Sequence, residues 1–141
     1  MNILVLQGPN LNLIGLKSSQ LGEKITLDKL NRSLRSQVKN SDHRLKILQT
    51  HKEFQAINFL QRNRNWGDSL LFIPNCWAKN NYMILETINL IGIKTALVFF
   101  SGQYSFGTME KESIFKGDYY NSFIGSPIQS CFEGLNFLIN Q

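Results

Sequence analysis

The sequence predicts an α/β fold, a parallel, doubly wound sheet with helices on both faces. Three observations lead there. Apolar runs of strand length occur at 2–6, 45–48, 69–73, 94–100 and 119–124. Segments with helical spacing lie between them, the rhythm of parallel strands joined by crossovers. The longest stretches without periodicity, 8–25 and 101–118, both follow strands. Open α/β sheets place their binding crevice at the carboxyl ends of strands, and loops of that length are more often functional than idle.

The first run, "NILVL", leaves through "QGPNLNLIG". Gly8 allows close backbone approach, Pro9 fixes φ, and Asn10 tolerates a left-handed turn while offering an amide to a ligand. A loop that merely ends a strand is the plain alternative. In "TLDKLNRSLRSQVKN", Leu27, Leu30, Leu34 and Val38 fall at helical spacing, with Thr26 available as N-cap. After the run at 45–48, Ala56, Ile57, Phe59 and Leu60 make a second apolar helix face. A third helix carries Tyr82, Met83, Leu85, Glu86, Ile88 and Asn89, between the strands at 69–73 and 94–100. The last helix runs through Ile128, Phe132, Leu135, Phe137 and Leu138 and starts near Ser126-Pro127, where proline suits the first turn.

The 141 residues suit one domain, 1–141, with a single core. Hydrophobic residues at 43% and charged residues at 18% are an ordinary globular balance. No apolar run approaches the ~20 residues of a membrane helix. The N-terminus enters a strand without a basic leader, so no signal peptide is expected and a cytoplasmic location is. Cys76 and Cys131 have no zinc-type spacing, and both are expected as reduced thiols, Cys76 as a small core residue. The net charge of +5 is concentrated at Lys29, Arg32, Arg35, Lys39, Arg44 and Lys46, with Arg62 and Arg64 as a second cluster. Neither cluster is interleaved with aromatics and no nucleic-acid module appears, so both read as solvated faces; no nucleic-acid or membrane partner is expected. His43 and His51 are the only histidines. His51 follows the second strand and could face the crevice, but no partner for it is evident.

"ILVLQGPNLNLIG" resembles the N-terminal signature of the type II 3-dehydroquinate dehydratases, which usually read Asn-Gly-Pro-Asn-Leu-Asn-Leu-Leu-Gly at this place. The likeness covers the chain almost without gaps. "LLFIPNCWAKNN" falls where the family has Asn-Pro-Gly-Ala-Tyr-Thr-His-Thr-Ser, and "TALVFFSG" where a strand ends His-Leu-Ser-Asn. "FIGSPIQSCFEGLNFL" falls on the closing strand and helix. The first motif is specific; the others match in apolar pattern and spacing. The resemblance implies a flavodoxin-like, five-stranded parallel sheet and an assembly of trimers, often four of them as a dodecamer. It also implies a small anionic cyclic acid as ligand, and a shikimate-pathway type of elimination of water from 3-dehydroquinate through an enolate, with no metal and no cofactor.

In that family a tyrosine, made basic by a neighbouring arginine, removes the proton. A histidine oriented by a glutamate protonates the leaving hydroxyl, and the Gly-Pro-Asn asparagine helps stabilise the enolate. A phenol of pKa ~10 needs a nearby cation to act at neutral pH, and hydroxide leaves poorly without an acid. This sequence departs from the pattern. Lys17 stands where the arginine belongs and Gly22 where the tyrosine belongs; Leu97 and Phe99 replace the glutamate and histidine. Ile73 replaces the asparagine of Asn-Pro-Gly and Asn75 its glycine, Lys79 the histidine of Thr-His-Thr-Ser, and Phe106 and Glu110 two arginines of the closing lid. Asn10, Ser101 and Glu53 are kept, with Glu86 in place of an aspartate offered to the neighbouring subunit.

The resemblance therefore makes Asn10 and Lys17 the remaining catalytic candidates. Asn75, Lys79, Glu86, Phe100 and Ser101 are the candidates for substrate binding, with Trp77 and Phe100 making the pocket more apolar. Lysine at 17 keeps the charge but not the bidentate fork. Lys79 could meet an anion near a helix N-terminus or extend into solvent, and a Schiff base at either lysine is a third, remoter reading. Tyr104 could stand in for the base, Tyr119 and Tyr120 fit a strand better, and packing or surface roles suit all three. Two functions follow. One is a 3-dehydroquinate dehydratase-like protein with lost, weak or altered activity. The alternative is a non-catalytic oligomeric scaffold or small-anion binding protein.

Overall fold

The computed structural model describes residues 1–140. Five strands, β1 (Asn2–Gln7), β2 (Arg44–Gln49), β3 (Ser69–Ile73), β4 (Lys94–Phe100) and β5 (Tyr120–Gly125), form one sheet in the order β2-β1-β3-β4-β5. Every pairing is parallel. The chain crosses from β1 outward to β2, then back over β1 to β3, so the topological switch point lies between β1 and β3. This is the doubly wound sheet expected from the strand and helix rhythm, with the flavodoxin-like order that the resemblance implied.

Alternation along the strands divides the core into two layers. Ile3, Val5, Leu71 and Val98 face one side, covered by α2 (Leu27–Gln37) and α6 (Pro127–Ile139) through Leu30, Leu34, Leu135 and Leu138. Leu4, Leu6, Leu70 and Phe72 face the other, covered by α3 (Glu53–Arg62) and α5 (Tyr82–Ile91) through Ala56, Leu60, Ile84 and Ile88. Because helices cover both faces, β1 and β3 are buried almost throughout, which is why they read as unbroken apolar runs. Thr26 caps α2, its hydroxyl accepting from the Lys29 amide at 3.1 Å. Pro127 opens α6 directly after Ser126.

Two expectations need correction. Residues 8–25 are not irregular throughout: a 3-10 turn at Leu11–Leu13 runs into α1 (Ile14–Gln20). Leu11, Ile14 and Ser18 are buried at helical spacing, a short amphipathic pattern screened in the sequence by the Gly-Pro-Asn turn before it. Cys76 is exposed rather than part of the core. It lies in the turn before α4 (Trp77–Asn80), where Trp77 and Ala78 turn inward instead. Cys131 is the buried thiol, and burial pushes its pKa up.

The Gly-Pro-Asn turn is required by a close crossing of two strand exits. A Cβ on Gly8 would sit 2.5 Å from the Pro74 carbonyl oxygen and 3.0 Å from that of Ile73. The Gly8 amide donates to the Ile73 carbonyl at 2.8 Å, and the Asn75 side-chain amide donates to the Pro9 carbonyl at 2.8 Å. Gln49, at the end of β2, adds a bond from its amide to the Gly8 carbonyl at 3.1 Å. Backbone meets backbone here, so no flexible side chain can yield. Among the described residues, no helix is long and apolar enough to cross a membrane.

Candidate functional site

Asn10, Asn75 and Ser101 stand just beyond the carboxyl ends of β1, β3 and β4, as the strand ends required. Asn10 and Asn75 are both left-handed, with φ of 71° and 50°, so each turns the chain sharply away from its strand. Asn10 is exposed; Asn75 is buried, with its amide committed to Pro9. Gln7 was not anticipated. It is fully buried and donates to the Asn31 side chain at 2.7 Å, while its Oε1 has no hydrogen-bond partner.

Leu97 and Phe99 point to the same face of β4, and that face is core. Leu97 is 0% exposed and Phe99 4%. Both belong to one apolar cluster with Phe72, Trp77, Ala78 and Phe115. Phe115 comes from the long loop after β4 and meets Phe72 edge to face, centroids 5.2 Å apart. The same loop donates from the Ile114 amide to the Ala78 carbonyl at 2.8 Å, and Glu112 meets Lys79 at 3.6 Å. Lys79 is thus half-exposed on α4 with a carboxylate partner of its own. Glu53, at the start of α3, accepts from the Asn81 side chain at 2.5 Å.

The loops around the crevice enclose two separate depressions. One, of about 540 Å³, has half-buried Lys17 on α1 facing Gln103, Ser105 and Phe106. Phe106 holds a φ of 52°, a left-handed conformation that costs a side-chain-bearing residue about 1–2 kcal/mol. The other, of about 400 Å³, lies beyond β4 and β5 against Phe99, Phe100, Met109 and Ile124, with Ser101 and Glu110 beside them. The turn at Gly102–Tyr104, with Ser105, separates the two. Asn10, Asn75 and Lys79 line neither. Glu86 is on the outer face of α5, in a groove with Tyr82, Leu85 and Leu90. The expected site residues are therefore spread over several places: Lys17 and Phe106 share one depression, and Phe99, Phe100, Ser101 and Glu110 share the other.

Tyr104 is 7% exposed, and its hydroxyl donates to the Glu23 carboxylate at 2.5 Å. This bond ties the segment after α1, including exposed Gly22 at φ 72°, to the loop after β4. Burial, reinforced by the Glu23 carboxylate, pushes the Tyr104 phenol above its ordinary value. A packing role, and not a base, is what this environment favours. Tyr120 begins β5 and Tyr119 precedes it; His51 is exposed. Among the described residues no three His, Cys, Asp or Glu side chains gather as a metal site.

A parallel sheet in this order, with polar turns at the carboxyl ends of its central strands, defines a flavodoxin-like α/β protein whose crevice opens at the strand ends. A family model described as "Dehydroquinase class II" matches residues 1–139, and the chain belongs to that family. A 3-dehydroquinate dehydratase from Pelotomaculum thermopropionicum is 29% identical over 114 residues, 81% of this chain and 79% of that protein. One from Trichodesmium erythraeum is 28% identical over 139 residues, 99% of this chain and 93% of that protein. The crystal structure of the type II dehydroquinase from Propionibacterium acnes has the same fold, with a TM-score of 0.80 and 18% identity over 99% of this chain and 97% of that one.

The Tyr104 bond makes a testable contribution to stability. A raised folded pKa means the neutral phenol is favoured in the folded state, so the contribution is present below pH ~10 and is lost as pH rises through the higher folded value. Tyr104→Phe should lower stability at pH 7 by about 1 kcal/mol in urea denaturation, and the gap to the parent should close at alkaline pH. Equal midpoints at pH 7 would show that the bond contributes nothing.

Proposed function

We propose that this chain is a dehydroquinase-family protein that has lost the family's elimination chemistry and now serves as a binding or scaffold protein. One observation carries this reading: Leu97 and Phe99, at the positions that the motif match assigns to the acid and its orienter, are buried together in an apolar cluster. A proton donor there would have to be built inside the core. Gly22, at the position of the base, offers no phenol, and Tyr104 is held neutral by its surroundings. Removing one general acid or base costs on the order of 10²- to 10⁴-fold, and here both are replaced. Glu110, at a position that the motif match assigns to an arginine of the lid, supplies no cation for an anionic substrate.

A specific observation favours small-anion binding as the second reading. Lys17 is half-buried at the wall of its depression, with no carboxylate paired to it among the described residues. Self-association belongs to the proposal as well. The outer face of α5 exposes Tyr82 at 64%, Met83 at 55% and Leu90 at 80% around Glu86, more apolar surface than a solvated helix needs.

Turnover should be at or near background when enone absorbance is followed with purified protein at high concentration and 3-dehydroquinate as substrate. A rate within about tenfold of the Trichodesmium relative, assayed in parallel, would overturn the proposal. Light scattering should give a trimer or a multiple of trimers, and a stable monomer at micromolar concentration would contradict the assembly.

A further inference from the structure

The depression beyond β4 and β5 has a chemistry of its own. Phe99 and Phe100, each 4% exposed, line its inner end at the close of β4, and Met109 and Ile124, which are 54% and 55% exposed, form its walls. Two large apolar side chains thus face a concavity with much of their surface still wet. At about 400 Å³ the space falls in the range of small-molecule sites, ~300–1,000 Å³. A thioether beside aromatic rings adapts to flat ligands and makes favourable sulfur contacts with them.

The polar groups narrow the class further. Ser101 and Ser105 supply neutral hydroxyls, and the Ser105 oxygen already accepts from the Gly107 amide at 3.3 Å. Glu110 and Lys111 stand side by side with opposite charges, so they create little net field for either sign. Lys17 lies in the other depression, beyond the turn at Gly102–Tyr104 and Ser105. Lys111 is thus the one basic side chain at this depression and Glu110 stands beside it, so a polyhydroxylated acid would lose hydration against the apolar wall with little gained in exchange.

We infer that this depression is a binding site for a neutral aromatic molecule of one or two rings carrying at most one hydrogen-bonding group. The inference rests on the reading that the crevice no longer serves dehydroquinate, and it names what the apolar part of that crevice takes instead. The ring lies between Met109 and Ile124 against the end of β4, and its polar atom turns toward Ser101.

The test is a titration of the full chain with indole and with phenol, followed by saturation-transfer NMR and calorimetry, with quinate as the polyhydroxylated acid. Indole should bind saturably and quinate should not displace it. Ile124→Asp should weaken indole at least about tenfold, because a carboxylate at the wall must lose water when the ring enters. Met109→Lys should do the same, and the circular dichroism of both should match the parent. Absence of saturable indole binding, displacement by quinate, or unchanged affinity in both well-folded variants would overturn the inference. So would a parent that ignores indole while Ile124→Asp changes its oligomeric state, since that would make the surface a contact between copies. Dehydroquinate turnover would sink the proposed loss of activity without touching this titration, and failure to bind indole would sink only the aromatic site.

Discussion

At the crossing of the β1 and β3 exits, Gly8 lies against the Pro74 and Ile73 carbonyls with no room for a side chain. Two hydrogen bonds, donated by the Gly8 backbone amide to Ile73 and by the Asn75 side-chain amide to Pro9, close the contact. The rest of the crevice depends on this contact. It sends the chain into α1 on one side and into α4 on the other, so the positions of Lys17 and Lys79 follow from it. It also explains the left-handed asparagines at 10 and 75, since both exits must turn within a residue or two of the sheet. The Gly-Pro-Asn stretch is therefore first a structural device, whatever else Asn10 does.

From that fixed point the loops are tied down one by one. Phe115 inserts into the core beside Phe72, Tyr104 holds the Glu23 segment, and Lys79 meets Glu112. These ties differ in weight. An exposed ion pair such as Lys79 with Glu112 contributes at most about 1 kcal/mol, whereas burying a phenylalanine side chain contributes about 2–3 kcal/mol. Packing holds the loop after β4, and the ion pair trims its position. Leu97 and Phe99 fit the same logic, because they extend the packed layer to the strand end where Trp77 and Phe115 lie.

The fold was legible because burial on both faces writes itself as unbroken apolar runs, at 2–6 and 69–73 above all. Thr26 and Ser126-Pro127 marked helix starts through local chemistry, and both stand where expected. α1 was hidden because only seven residues carry its pattern, and Cys76 was misplaced because a turn decides which neighbour points inward. The site was less legible. Residue identity located Asn10, Asn75 and Ser101 at strand ends, but not that Asn75 would bond Pro9. The Tyr104 and Glu23 pair spans 81 positions, and only folding brings it together. The same holds for Met109 and Ile124, whose meeting across a concavity has no trace in spacing.

The strand end at Leu97 and Phe99 is core, and under the proposed function it hosts no proton-transfer pair. Urea denaturation of a Leu97→Glu, Phe99→His double variant, with dehydroquinate turnover read on the same sample, tests it most directly. Stability should fall by about 3 kcal/mol or more, from burying ionisable groups among Phe72, Trp77 and Phe115, with turnover still at background. Stability within about 1 kcal/mol of the parent together with a rise in turnover would contradict it, because the pair would then have found a site that was still open.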